Sequence, residues 1–276
     1  MRGSRQGLLA VAVVLLLSGA TVAAATLTPA AIAGWGTYVA ATERRIGREL
    51  AAGDRFLALD FAARASANRR ALLGGAVLVD QVESTDDQGR AIDVPSALVH
   101  HWRGAIFIPG VKLPELLEKL QSGAPAARQE DVLQSKVLER QPDRMRVFLR
   151  VQRTKFVTVV YNTEHTVTFR RVSSARATSA STATKIAEVE SPNTPQEREL
   201  RSGDDRGFLW RWNSYWRYED VGTGVIAECE SVSLSRDVPS VLWYLVGPWI
   251  TSTARESMER TLVTMRGKIW TLSRKA

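Results

Sequence analysis

The sequence predicts an α+β fold in which a run of antiparallel strands lies between helices at the two ends of the chain. Three observations lead to this prediction. Near the amino terminus, apolar residues recur at helical spacing, at Tyr38, Ala41, Ile46 and Leu50. From about residue 76 to residue 234, β-branched residues and period-two alternation dominate. Beyond residue 249, apolar residues again recur every three or four positions, which predicts a long carboxy-terminal helix.

The first 25 residues have the pattern of a secretory signal peptide. Arg2 and Arg5 precede an uncharged apolar run over residues 8–17, and residues 23–25 are alanines that a signal peptidase accepts. We therefore expect cleavage after Ala25 and a mature chain that is secreted or periplasmic. The alternative is an uncleaved amino-terminal membrane anchor, although the run extended to Ala25 barely reaches the roughly 20 residues that cross a bilayer.

Charge and cysteine content restrict the partners of the chain. The formal net charge is +8, from 37 basic and 29 acidic residues that are scattered along the sequence. This pattern indicates a solvated basic surface, with contact to an anionic membrane surface as a further option. Export makes nucleic acid an unexpected partner. The one cysteine, Cys229, cannot form an internal disulfide, and it is predicted to be a small packed residue between two glutamates.

The predicted organisation is a signal peptide over residues 1–25, an amino-terminal helical extension with one strand over residues 26–94, and a main domain over residues 95–276. Predicted helices cover residues 34–52, 55–67, 113–120, 237–246 and a terminal segment to about residue 270. Predicted strands cover residues 76–83, 98–108, 132–140, 145–151, 155–161, 166–172, 208–219 and 225–234. Residues 173–183 are small and polar, and their composition predicts a linker before a further strand at 184–189.

No motif for a cofactor, a metal or catalysis stands out. The sequence has no phosphate-binding glycine loop, no dinucleotide fingerprint and no nucleophile elbow. His100 and His101 are neighbours on a predicted strand and therefore point to opposite faces of it. A metal site built from His101, His165 and Glu164 is conceivable, but our prediction is no cofactor, no metal and no catalytic residue.

The predicted strand over residues 208–219 separates two kinds of side chain. Trp210, Trp212 and Trp216 lie on one face, and these tryptophans either fill a core or line an apolar pocket. The other face carries Arg211, Asn213, Tyr215 and Arg217, while Glu228 and Glu230 share one face of the partner strand. These charges form either structural cross-strand ion pairs or a polar cluster that orients the head group of a ligand.

The order of the elements resembles the START-like, or helix-grip, superfamily, which includes pollen allergens, polyketide cyclases and lipid-transfer domains. The likeness covers about residues 98–266. It is carried by His101-Trp102-Arg103-Gly104 with residues 106–110, by the hairpin of residues 208–218 and 226–236, and by Asp237-Val238-Pro239 leading to Trp249-Ile250 and the terminal helix. The likeness rests on element order and diffuse motifs.

The resemblance implies a curved antiparallel sheet wrapped around the long carboxy-terminal helix, with a cavity between them. Members of the superfamily commonly bind apolar molecules, and a minority are enzymes. We therefore expect an exported, non-enzymatic binding protein for a lipid or other apolar small molecule. The alternatives are a cyclase- or hydrolase-type enzyme that uses the same cavity and a structural protein whose cavity is filled. No set of catalytic residues transfers to this chain.

One choice of face follows from this expectation. We predict that Arg211, Asn213 and Tyr215 line the cavity and bind the ligand, with Glu228 or Glu230 neutralising Arg211. An arginine that faced an apolar cavity without a partner would be costly. The tryptophans would then lie on the outer side of the sheet, under the amino-terminal extension.

The export prediction has a direct test. Amino-terminal sequencing of the exported protein is expected to start near Thr26, because the small residues that favour cleavage end at Ala25. A chain that remains in the membrane fraction and still begins at Met1 would identify an anchor instead.

Overall fold

The structure is a computed structural model that describes residues 26–122, 131–154, 158–201, 204–237, 255–267 and 269. The predicted signal peptide lies outside the described residues, and so does the predicted helix over residues 237–246, except for its first residue. Within the described ranges, no helix is long and apolar enough to cross a bilayer.

Two helices and one 3-10 turn make up most of the amino-terminal extension. Helix α1 (Pro29–Ala51) starts five residues earlier than predicted, because Thr28 caps it by accepting the amide hydrogen of Ala31 at 3.1 Å. The single helix predicted over residues 55–67 is instead a 3-10 helix (Ala58–Phe61) and helix α2 (Ala65–Leu73). The carboxylate of Asp60 accepts the amides of Phe56 and Leu57, and this tight turn separates the two.

The described strands form one antiparallel sheet of nine strands, which is curved. The strands are β1 (Val77–Gln81), β2 (Ala97–Pro109), β3 (Val132–Arg140), β4 (Arg144–Thr154), β5 (Thr158–Arg171), β6 (Arg176–Glu190), β7 (Arg198–Glu199), β8 (Arg211–Asp220) and β9 (Gly224–Arg236). Their order across the sheet is β1-β2-β9-β8-β6-β5-β4-β3, and β7 pairs with β6. Helix α3 (Leu113–Gln121) follows β2, as predicted.

Two strand predictions are wrong. Residues 173–183 are not a linker, because β6 runs from Arg176 to Glu190 between β5 and β8. Its small side chains fit against large neighbours: Ala177 is fully buried, and the hydroxyl of Ser179 lies 3.1 Å from that of Tyr218. Tertiary packing therefore overrides the low strand propensity of this segment. The strands predicted at 155–161 and 166–172 are one continuous strand, β5, in the described residues from 158.

The terminal helix crosses one face of the sheet, which we call the inner face. Residues 255–267 are helical, and Met258, Leu262, Met265 and Ile269 are buried in the main apolar cluster. Gly104 on β2 permits this close approach, since a Cβ atom there would lie 2.7 Å from Cδ1 of Leu262 and 2.8 Å from Cγ of Met258. The predicted apolar stripe is confirmed over the described residues. The fold is therefore the predicted α+β helix-grip fold.

The contact between the terminal helix and the sheet predicts a large stability effect at Leu262. Its side chain is fully buried, whereas that of the adjacent Val263 is 43% exposed. The change Leu262→Ala should lower the free energy of unfolding by about 2–5 kcal/mol, because it leaves a cavity over Gly104. Val263→Ala is the matched control and should change it little. Urea denaturation checks both, and a loss below about 0.5 kcal/mol for Leu262→Ala would mean that the helix does not grip the sheet.

Candidate functional site

The hairpin of β8 and β9 separates uncharged from charged side chains. Arg211 pairs with Leu234, Tyr215 with Glu230 and Arg217 with Glu228 on the face that α1 covers, which we call the outer face. Trp212 pairs with Ser233 and Trp216 with Cys229 on the inner face. Alternation therefore places the charged residues from Arg211 to Glu219, together with Glu228 and Glu230, on the side of the extension. Neutral groups face the terminal helix, except for Asp220 at the end of β8, which lies opposite Val225.

The predicted placement of the site residues is wrong. Arg211, Asn213, Tyr215, Glu228 and Glu230 all lie on the outer face, because the extension supplies the partners of most of them. A ligand-binding role for these five residues stays a prediction. The tryptophans divide as well: Trp212 and Trp216 belong to the inner face, whereas Trp210 packs with Trp35 and Tyr38 of α1.

The carboxylates of β9 bind the extension through short hydrogen bonds. Glu228 is 2% exposed and accepts the amides of Ala58 at 2.6 Å and Leu59 at 2.9 Å. Glu230 is 4% exposed and contacts Nε2 of His101 at 2.7 Å as well as the guanidinium of Arg45. Both carboxylates therefore form structural contacts within the protein.

The side chain of Arg217 completes this set of outer-face contacts. Its guanidinium donates to the carbonyl of Phe56 at 2.9 Å and forms an ion pair with Glu49 of α1. Tyr215 donates to Glu43 of the same helix at 2.9 Å. Of the two interpretations of the charged face, structural pairing is therefore the one that these contacts favour, with partners from the extension as well as across the strands.

Burial and pairing act in opposite directions on the two carboxylates. Burial would raise the pKa of Glu230, but the hydrogen bond with His101 and the charges of Arg45, His101 and Arg217 lower it to about 2. Burial dominates at Glu228 and raises its pKa, although Arg217 and the amides of Ala58 and Leu59 oppose the shift. Burial also raises the pKa of the Cys229 thiol well above its usual value, and the two glutamates add to this.

The conceivable metal site does not form. His101 lies on the outer face, where its Nδ1 is 2.9 Å from the hydroxyl of Tyr38. His165 lies on the inner face against Trp212, with ring centroids 5.0 Å apart. Since the sheet separates the two histidines, they cannot share one ion. In the part of the chain that the structure describes, no group of three or more metal-ligating side chains comes together.

The inner face has an apolar half under the terminal helix. The rings of Trp216 and Tyr218 stack in parallel, with centroids 6.0 Å apart. They belong to the same cluster as Trp102, Ile106 and the buried residues of the terminal helix. Farther across the sheet, β4 and β5 continue the apolar surface with buried Met145, Val147, Val151, Val159 and Tyr161.

Next to the apolar half lies a set of uncharged polar and aromatic side chains, which we call the serine–histidine band. Its members are His100, His165, Ser181, Trp212, Ser214, Ser231 and Ser233. Trp212 donates from Nε1 to Ser231 at 3.1 Å, and Nε2 of His100 is 2.9 Å from the hydroxyl of Ser235. Nε2 of His165 lies 3.0 Å from Thr163, and its Nδ1 lies 3.3 Å from Ser181.

The histidines of the band are neutral at physiological pH. Burial lowers the pKa of His100 and the pKa of His165 to about 4. The band therefore offers hydroxyl, imidazole and indole groups without a formal charge.

Sequence reasoning missed this band. The signal was present in Ser231, Ser233 and Ser235, which alternate with apolar residues at period two. Once Trp212 is placed opposite Ser233, the serines share its face. The prediction was based instead on the charged and polar residues of the other face, such as Arg211 and Glu230.

The neutral state of His165 predicts a pH-dependent stability. Its pKa is about 4 in the folded chain and 6.5 as the ordinary value, so the unfolded chain binds the proton first as the pH falls. The free energy of unfolding should therefore fall between pH 6.5 and 4, with up to about 1.4 kcal/mol per pH unit from this residue. His165→Gln, which does not titrate, should make this slope shallower. Urea denaturation at a series of pH values checks it, and parallel curves for the two proteins would contradict it.

Comparisons with known proteins concern the fold. No family model and no curated protein matches the chain. A STAR-related lipid transfer protein from Xanthomonas axonopodis is 14% identical, with 68% of this chain and 98% of that chain covered and a TM-score of 0.42. Human STARD10 is 9% identical, with 74% and 79% covered and a TM-score of 0.43. A START superfamily protein from Mycobacterium smegmatis is 9% identical, with 64% and 98% covered and a TM-score of 0.38.

All three TM-scores are below 0.5, so these likenesses carry no argument about what the chain binds. The fold is instead established by the order of the strands in the sheet and by the close contact of the terminal helix with Gly104. The chain has the predicted helix-grip fold, a curved antiparallel sheet packed on the terminal helix.

Proposed function

We propose that this chain is an exported, non-enzymatic binding protein for a lipid or other apolar small molecule, held between the inner face and the terminal helix. The observation that carries the proposal is the division of the inner face. An apolar half lies against the helix, and a band of neutral polar groups continues from it. Apolar walls with a few placed polar groups are what a pocket for an amphiphilic ligand requires.

The exposure of the band favours an open space over a filled core. His100, Trp212, Ser214, Ser231 and Ser233 are only half-buried, although they lie on the face of the sheet that the terminal helix contacts. The alternative of a structural protein with a filled cavity would require these side chains to be packed and their hydroxyls paired. Their accessibility therefore supports binding.

The contacts of His165 favour binding over catalysis. An acid–base site of the cyclase or hydrolase type needs titratable groups that converge on one point. Both ring nitrogens of His165 lie within hydrogen-bond distance of hydroxyl groups, those of Thr163 and Ser181. Glu188, another buried carboxylate, is paired with Arg206 at 2.5 Å. A ligand-binding role does not require these groups to be free for proton transfer, so it agrees with the hydrogen bonds of His165 and the ion pair of Glu188.

Export and membrane contact are further parts of the proposal. Export is supported by the signal-peptide pattern of the first 25 residues. The formal net charge, +8 for the whole chain and +6 once Arg2 and Arg5 are removed with the signal peptide, suits contact with an anionic membrane surface, from which an apolar ligand could be taken up.

The two neighbours Trp212 and Arg211 provide a matched test. They are adjacent on β8 and face opposite sides of the sheet. Titration with the uncharged fluorescent probe N-phenyl-1-naphthylamine should show that Trp212→Leu weakens binding about tenfold, because the probe loses an aromatic wall of the site. Arg211→Leu should leave the dissociation constant unchanged.

Organic extracts of the purified mature protein, measured by mass spectrometry, should contain an apolar compound in stoichiometric amount. The proposal fails if the folded protein neither binds the probe nor retains such a compound. If Arg211→Leu abolishes binding and Trp212→Leu does not, the ligand binds at the outer face and the proposed location is wrong.

A further inference from the structure

The two faces of the hairpin differ in charge as well as in polarity. From Arg211 to Glu219 on β8, each charged side chain faces outward, and so do Glu228 and Glu230 on β9. Glu219, for example, pairs with Arg176 at 2.9 Å and with Arg69 at 2.7 Å on the outer side. The part of the inner face that holds the serine–histidine band therefore has no formal charge from this hairpin.

The band contains hydrogen-bonding groups that the protein leaves open. Within the described part of the chain, the hydroxyls of Ser214 and Ser233 have no hydrogen-bond partner, and His100 uses only Nε2, with Ser235. All three side chains are half-buried. His100 of β2 and Ser233 of β9 are paired directly. Ser214 of β8 lies on the same face one pair farther along, opposite Ser231. Together they can donate to and accept from a polar group on a ligand.

The histidines do not supply a positive charge to the band. Burial lowers the pKa of His100 and the pKa of His165 to about 4, so both rings are neutral near pH 7. A charged head group placed among these groups would lose part of its hydration without gaining a counter-charge from them, which is unfavourable.

Several charged groups lie at the margins of the inner face, outside the band. Arg153 and Arg260 both bind the carboxylate of Asp131, at 2.5 Å and 2.8 Å. Glu188, near the carboxy-terminal end of β6, is paired with Arg206. A ligand can therefore engage the band without breaking either of these ion pairs.

From this arrangement we infer that the ligand is an amphiphile whose polar end is uncharged, such as an alcohol or a ketone, and that this end binds at Ser214, Ser233 and His100. Carboxylate, sulfonate, phosphate and quaternary ammonium head groups do not fit the band. The inference rests on the proposed function, because it names the class of ligand for the same site.

Three pyrene-labelled probes with the same alkyl chain test the inference at neutral pH. They end in an alcohol, a sulfonate and a trimethylammonium group, so only the charge of the polar end changes. Fluorescence titration of the mature protein should give a dissociation constant for the alcohol at least about tenfold below those of the two charged probes.

Single hydroxyl deletions locate the polar end. Ser214→Ala and Ser233→Ala should each weaken binding of the alcohol probe several-fold and leave the sulfonate unchanged, because a hydrogen bond to the head group is lost. Thr182→Ala is the matched control, since Thr182 lies on the outer face opposite Asn213. Circular dichroism and urea denaturation confirm that the variants fold.

The outcomes separate the inference from the proposed function. If no probe binds the folded protein, the proposed function fails. If the sulfonate or the trimethylammonium probe binds as tightly as the alcohol, the ligand class is wrong while the function stands. If the alcohol is preferred but both serine variants bind it like the wild type, the inference is overturned in its location of the polar end.

Discussion

The buried ion pairs between the extension and the outer face set the arrangement of the rest of the molecule. Arg45 with Glu230 and Arg217 with Glu49 join α1 to the hairpin of β8 and β9 in a place where water has little access. Removing one partner of such a pair leaves an uncompensated buried charge, which costs far more than the pair itself contributes. The hairpin therefore has only one acceptable orientation, with Arg217, Glu228 and Glu230 under α1 and with Trp212, Trp216 and its serines on the inner face.

That constraint explains which features the sequence could predict. Alternation correctly separated the side chains of β8 from Arg211 onward into two sets, although Trp210, which precedes the strand, packs on the outer side. The order of strands and helices predicted the fold. The choice of face could not follow from alternation, because shifting the assignment by one residue exchanges the two sets completely. The deciding partners lie far away in the sequence: Arg45 is 185 residues from Glu230, and Glu49 is 168 residues from Arg217.

The serine–histidine band was missed for a related reason. Serine and threonine are common in loops, so residues 173–183 were interpreted by composition as a linker. In the folded chain, small residues are needed there because Ala177 and Ser179 of β6 lie beside Tyr218 of β8. On β9, Ser231 and Ser233 are likewise small and polar, and they keep the inner face neutral and accessible. Their meaning depends on neighbours from other strands, which a local pattern does not contain.

The pairing of β2 with β9 also has a consequence for how the chain folds. Every residue of β2, from Ala97 to Pro109, is matched to residues 224–236, so this part of the sheet cannot form until those residues have been made. Contacts between such distant segments slow folding, since a long loop must be ordered before any of them forms. During synthesis the extension has neither its sheet nor its counter-charges. The pairing of β2 with β9 is therefore one of the late steps in the folding of this chain.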